Sequence, residues 1–176
     1  MTDSPDALPD SLVVDIDRIR TGVDQPRVDL LPGDILGIDH VGLAVADLDA
    51  AVAFHTGVLG GSVTHRETNV EQGVEEVMIS YGPGAQIQLL APQNPTSAIA
   101  RFLDRSGPGL QQLAYRVTDV DTASDRLRKA GLRLLYDTAR PGTAGSRINF
   151  IHPKDTGGVL VELVEPAAAR SRARPG

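Results

Sequence analysis

Ile38-Asp39-His40-Val41-Gly42-Leu43-Ala44-Val45-Ala46-Asp47-Leu48-Asp49 lies over Leu110-Gln111-Gln112-Leu113-Ala114-Tyr115-Arg116-Val117-Thr118-Asp119-Val120-Asp121 at a constant offset of 72 residues. Both stretches alternate in the manner of a half-buried strand, and both end in Asp-x-Asp. A helical pattern follows each, over 48–55 and over 120–130. The aspartates stand where N-caps belong, and Gly131 stands at a C-cap position. Further along, Ile87-Gln88-Leu89-Leu90-Ala91-Pro92 mirrors Val161-Glu162-Leu163-Val164-Glu165-Pro166 at an offset of 74. Each copy has room for two strands between these landmarks, near 61–65 and 75–80 in the first and near 133–137 and 148–152 in the second. Each half therefore reads strand, helix, strand, strand, strand. A connecting helix over 96–103, capped by Thr96 or Ser97, joins them.

One open half-sheet cannot bury its apolar face alone. Two side by side can, and their concave faces enclose a cleft. The expected fold is α+β, with paired βαβββ repeats forming one curved sheet around that cleft. The domain is expected to span 35–166, with repeat one at 37–92 and repeat two at 109–166. Residues 1–34 carry Pro5, Pro9, Pro26 and Pro32 with dispersed charge and read as an extension, with a short strand or helix near 12–19. The tail, 167–176, holds Arg170, Arg172 and Arg174 without an apolar pattern.

Composition narrows the chemistry. Hydrophobic residues make up 41% and charged residues 23%, an ordinary globular balance. Aromatics are only 3%, so Val, Leu, Ile and Ala must build the core. There is no cysteine, which excludes disulfides and thiolate metal sites and leaves imidazole, carboxylate and amide donors. A net charge of −6 argues against a nucleic-acid partner. No apolar run approaches membrane-spanning length, and Met1-Thr2-Asp3-Ser4-Pro5-Asp6 lacks a hydrophobic signal core, so no membrane partner and a cytoplasmic location are expected.

The repeat also points to a site. Equivalent inward-facing positions of two copies meet near the pseudo-twofold axis, which pairs His40 with Gln112 and Gln88 with Glu162. Their neighbours Asp39, Val41, Ile87 and Leu89 are expected on the opposite face. One imidazole, one carboxylate and two amides suit a divalent ion such as Co2+, Zn2+, Mn2+, Ni2+ or Mg2+. Taken singly, a strand histidine is more often a hydrogen-bonded packing residue, and glutamine is a weak ligand; the symmetry is what joins them. Of the adjacent Glu75 and Glu76, only one can face the cleft, and Val77 and Ile79 share the Glu75 side.

Several segments carry a resemblance to a known family. They are Ile38-Asp39-His40-Val41; His65-Arg66-Glu67 with Glu71-Gln72-Gly73-Val74-x-Glu76; Leu134-Leu135-Tyr136-Asp137; Arg147-Ile148-Asn149-Phe150-x-His152-Pro153-Lys154; and Gly158-Val159-Leu160-x-Glu162-Leu163. From 37 to 166 the chain resembles the methylmalonyl-CoA epimerases of the glyoxalase and vicinal-oxygen-chelate group. The resemblance implies the vicinal-oxygen-chelate fold and metal binding at His40, Gln88 and Glu162. It also implies a catalytic glutamate at Glu76, with Glu162 as the second acid/base group, an acyl-CoA substrate and a homodimer. Gln112 departs from the family, which usually places a second histidine ligand there, and His55 stands where an aromatic residue is commoner. Arg147 and Lys154, beside the Gly142-Thr143-Ala144-Gly145-Ser146 turn, are candidate contacts for coenzyme A phosphates, while His65 and His152 read as structural or surface histidines. Two alternatives share this scaffold: an enzyme for another acyl thioester or hemithioacetal, and a metal-free ligand-binding or resistance protein.

Overall fold

Asp47 and Asp119 each start a helix by accepting a backbone N–H three residues on, Ala50 at 2.9 Å and Thr122 at 2.7 Å. Caps of this kind are worth about 1 kcal/mol each. They fix where the chain leaves the first strand of each repeat. In the computed structural model, which describes residues 34–167, the first repeat runs β1 (Ile35–Ala44), α1 (Leu48–Ala53), β2 (Ser62–Asn69), β3 (Val74–Ser80) and β4 (Gln86–Pro92). A connecting helix follows, α2 (Ala98–Ser106), capped by Ser97. The second repeat is β5 (Gly109–Val117), α3 (Val120–Lys129), β6 (Arg140–Pro141), β7 (Arg147–Ile151) and β8 (Leu160–Glu165). The extension at 1–34 (save Asp34), the element expected near 12–19, and the tail at 167–176 (save Ala167) lie outside the described residues.

The strands of both repeats form one sheet in the order β2-β3-β4-β1-β5-β8-β7-β6. β1 is parallel to β4 and β5 is parallel to β8, while β1 and β5 meet antiparallel at the central seam. The order reads the same outward from the seam in both directions, as the duplication requires.

Each helix covers the outer face of its own half-sheet. In the first repeat Leu48, Val77, Ile79, Leu89 and Ala91 pack together, with Leu43, Val45, Ala51 and Val52 against them. Val117, Val120, Ala123, Leu127, Ile151 and Leu163 do the same in the second. Side chains as fully buried as Val77, Ile79, Leu89 and Leu163 contribute about 1.5–3 kcal/mol each. Because strand side chains alternate, this outer packing leaves Glu76, Gln88 and Glu162 for the inner face. α2 closes one end of that face, with Ile99 packed among Ala44, Val74 and Leu90.

Two elements differ from expectation. α1 ends at Ala53 and continues as a π-helical turn, Phe54–Val58. The strand expected over 133–137 does not form; only a bridge between Leu134 and Ile151 remains, and the edge strand is the two-residue β6. Side chains intercept the ladder there. The Asn149 carbonyl accepts the Tyr136 N–H at 3.3 Å, and the Asp155 carboxylate takes the Arg133 N–H at 2.9 Å. Periodicity cannot report such side-chain competition for backbone donors.

Candidate active site

His40, Gln88, Gln112 and Glu162 stand on β1, β4, β5 and β8, the four strands around the seam, and all four are buried. The Gln112 carboxamide nitrogen is their meeting point. It lies 2.7 Å from Glu162 Oε2, 3.0 Å from Gln88 Oε1 and 3.3 Å from His40 Nε2. His40 Nε2 and Glu162 Oε2 are themselves 3.1 Å apart. Gly42 makes room for this lean across the seam, since a Cβ there would sit 2.5 Å from Gln112 Cγ.

The donors fit a divalent ion. Neighbouring ligands of an octahedral ion with bonds of about 2.1 Å lie about 3 Å apart, the spacing of these atoms. A half-turn of the Gln112 amide would present oxygen in place of nitrogen. Among the described residues no three His, Asp or Glu side chains cluster as a metal site, so the set is complete only with its two amides. Gln112→His is therefore expected to tighten Co2+ or Zn2+ binding about tenfold or more, read by competition with a chromophoric chelator. An unchanged affinity would mean that position 112 does not reach the ion.

Asp39 corrects the simple alternation. The β1–β5 register shifts between Ile38 and His40, so Asp39 is the extra residue of a β-bulge. It enters the cleft beside His40 and does not face away from it. Its Oδ1 lies 3.0 Å from His40 Nδ1, and Arg116 Nε donates to its Oδ2 at 2.8 Å. Burial works against the Asp39 carboxylate, but these two partners outweigh it and hold its pKa below the usual carboxylate range. Burial likewise lowers the His40 pKa, yet the hydrogen bonds and charges of Asp39 and Glu162 push it up to about 9. Val41 faces outward as expected.

Glu76 lies on β3 with its carboxylate on the inner face, while Glu75 points outward to Arg66 and Gln93. Glu76 Oε1 accepts the Thr143 hydroxyl at 2.7 Å, and its Oε2 accepts Gln88 Nε2 at 2.8 Å. Directly opposite on β2, Glu67 shares a hydrogen bond with it and also contacts His65 Nε2 at 2.5 Å. Burial, then the hydrogen bond and charge of Glu67, raise the Glu76 pKa to about 7 despite the Thr143 hydroxyl. Glu67 shifts the other way, held low by Glu76 and His65 against its own burial. In this pair Glu76 holds the proton.

Asp39, His40, Arg116, Thr143 and Glu162 line a cleft of about 320 Å³, with Glu76, Gln88 and Gln112 hydrogen-bonded behind them. An apolar hollow of about 570 Å³ on the opposite face has no charged side chain in its lining. Of the two expected phosphate contacts, Arg147 is corrected: it lies across from Glu165 on the helix-covered face and is bound to Glu165 and Asp121. Strand parity turns it away from the cleft. Lys154 is exposed in the turn after β7. Sequence reasoning missed Asp39, Arg116 and Thr143 as cleft residues and Glu67 as the partner of Glu76; His65, read as a structural or surface histidine, pairs with Glu67 at the cleft wall. Glu67 was recoverable, because a hairpin turning at 70–73 places it across from Glu76; the others depend on a bulge, a long-range contact or a loop path.

Known proteins share this fold. The profile described as "Glyoxalase/Bleomycin resistance protein/Dioxygenase superfamily" matches residues 39–150. An ethylmalonyl-CoA/methylmalonyl-CoA epimerase from Cereibacter sphaeroides is 39% identical over 128 residues, covering 72% of this chain and 95% of that protein. The crystal structure of methylmalonyl-CoA epimerase from Mycobacterium tuberculosis is 53% identical, with a TM-score of 0.76, covering 83% of this chain and 99% of that one. A methylmalonyl-CoA epimerase solved in complex with methylmalonyl-CoA and NH4+ is 44% identical, with a TM-score of 0.73, covering 77% and 97% of the two chains. The chain belongs to the glyoxalase/bleomycin resistance protein/dioxygenase superfamily and, within it, to the methylmalonyl-CoA epimerases.

Proposed function

We propose that this protein interconverts the two epimers of methylmalonyl-CoA, or of a close acyl-CoA, by removing and returning the proton on the α-carbon. The observation that carries the reading is that two buried glutamates on the inner face, Glu76 and Glu162, are joined by a chain of amide hydrogen bonds: Gln88 Nε2 to Glu76, then Gln112 Nε2 to both Gln88 Oε1 and Glu162. Kinship with epimerases sets aside the ligand-binding alternative.

The α-carbon of a 2-methylmalonyl thioester is flanked by two carbonyl groups, so breaking its C–H bond moves the electron pair onto the thioester oxygen. Ionised Glu76 takes that proton from one face. Protonated Glu162 returns one to the other face, forming a new C–H bond with inverted configuration; for the opposite epimer the roles reverse. Thr143 and Gln88 hold the two oxygens of Glu76 and so aim the carboxylate. His40, Gln88, Glu162 and, through its amide oxygen, Gln112 would hold a divalent ion, Co2+, Zn2+, Mn2+, Ni2+ or Mg2+. When bound, such an ion supplies Lewis-acid stabilisation of negative charge on the substrate oxygens. Lys154 is proposed as a contact for the coenzyme A phosphates.

Incubating one epimer with the protein and a divalent ion in deuterated buffer tests the reading. Loss of optical purity together with deuterium at the α-carbon is expected; neither change would overturn it. A base near its operating pH is the most effective compromise between protonation state and proton-transfer drive. With Glu76 at about 7, kcat/KM in the direction it serves as base should rise with pH through about 7 and level off above. Glu67→Gln removes a negative neighbour and should move that limb to lower pH. An unshifted profile would remove Glu67 from control of the base.

The protein is also proposed to act in the cytoplasm, without nucleic-acid or membrane partners. The charge of −6 supports the first absence; for the second, no helix among the described residues is long and apolar enough to cross a membrane. A homodimer is proposed as well. Ile35, Leu36, Ile38 and Leu110 are exposed large apolar side chains on the two seam strands, and a second copy would cover them. Sedimentation at the mass of a single chain would refute it.

A further inference from the structure

The bulge at Asp39 leaves a carboxylate in a place where nothing in the proton-transfer scheme uses it. Asp39 is 8% exposed, and a buried carboxylate persists only where partners satisfy it. It has two. Oδ1 meets His40 Nδ1 at 3.0 Å, and Oδ2 accepts Arg116 Nε at 2.8 Å. Arg116 comes from the neighbouring strand, two residues beyond Ala114 and four beyond Gln112 on the inner face of β5. Ala114 pairs directly with His40 and is fully buried, so no bulky neighbour occupies the space that the imidazole needs. Arg116 itself lines the cleft with a side chain 43% exposed, so the guanidinium stays partly hydrated while its Nε locks onto the carboxylate.

We propose that Arg116 and Asp39 form a charged buttress that fixes the ring angle and tautomer of His40, with Arg116 a positioning residue acting only through Asp39. In a neutral imidazole the proton sits on one nitrogen and the lone pair on the other. Asp39 can only accept while ionised, so it keeps the proton on Nδ1 and leaves the Nε2 lone pair facing Glu162 and Gln112, 3.1 and 3.3 Å away. A carboxylate behind a ligating imidazole both orients the ring and raises its basicity, and losing such a partner typically costs 10–100-fold in metal affinity. Arg116 is needed because Asp39 has two oxygens to orient. Without a partner on Oδ2 the carboxylate could rotate away from the ring.

The inference rests on reading His40 as a ligand, and the test separates the two claims. Co2+ alone would be titrated against a competing chelator with the parent and with the Asp39→Asn, Arg116→Met, Asp39→Asn/Arg116→Met and His40→Ala variants. Asp39→Asn is isosteric and Arg116→Met keeps an alkyl stem, so thermal unfolding should show each variant folded. Each single variant is expected to weaken Co2+ binding 10–100-fold, and the double variant no more than Asp39→Asn alone, because Arg116 then has no carboxylate to hold. Nitrogen-15 spectra of the metal-free protein, recorded above pH 9 where the imidazole is neutral, should show a mostly Nδ1-protonated ring in the parent and a mixture of tautomers in Asp39→Asn. Arg116→Met with parental affinity, or with its full loss repeated in the Asp39→Asn background, would overturn the buttress. His40→Ala with parental Co2+ affinity would instead sink the ligand reading beneath it.

Discussion

Glu76→Gln is expected to lower kcat for epimerisation by at least about a thousandfold, while the divalent metal content stays at the parental value. General-base catalysis is worth about 10²–10⁴ in rate, and the substitution removes the base while keeping shape. The amide can still pair with Thr143 and Gln88, the two groups that hold the carboxylate, so the cleft should stay built. The same variant carries a stability signature of defined sign. The folded-state pKa of about 7 lies above the ordinary glutamate value of 4.5, so the stability from protonated Glu76 is fully present below about 4.5 and is lost as pH rises through about 7. At about 1.4 kcal/mol per pH unit, softened by relaxation of the neighbours, the ionised carboxylate costs on the order of 1–3 kcal/mol at pH 8. Glu76→Gln escapes this cost and should unfold at a temperature no lower than the parent at that pH. Near-normal turnover would take Glu76 out of the mechanism, whereas inactivity with lost metal would make its role structural.

If the proposed site holds a divalent ion, treatment with a chelator should abolish turnover to a comparable degree, and adding back Co2+ or Mn2+ should restore it. Fixed positive charge at a developing oxyanion is commonly worth several kcal/mol, and the Gln112 amide lies 2.7–3.3 Å from the other three proposed donors. The cleft adds a second expectation. In the metal-free protein the His40 pKa stands at about 9, so at pH 7 a metal must displace a proton to reach Nε2. Metal affinity should therefore rise with pH, about tenfold per unit, until it levels near pH 9. His40→Gln should flatten that dependence. Full activity after exhaustive chelation would exclude a resident ion from the reaction.

The duplication made much of this protein legible from its residues. Two strands that share a side-chain pattern at an offset of 72 residues must face the same way, so the repeat alone pairs His40 with Gln112, and Gln88 with Glu162. The packing of Val77 and Ile79 on the Glu75 side likewise left Glu76 to the inner face by parity alone. The edge of the sheet was not legible. Whether 133–137 pairs as a strand turned on Asn149 and Asp155 competing for backbone N–H groups, a contact between segments far apart in sequence.

By itself the chain order determined the repeat, the strand faces and the residue types available to a metal, because these follow from local periodicity and from covalent duplication. Tertiary structure alone decided the company each group keeps. A one-residue bulge turned Asp39 into the cleft, and the path of the loop after β6 brought Thr143 onto Glu76. Register shifts and loop paths are set by the packing of the whole sheet, so no local pattern encodes them.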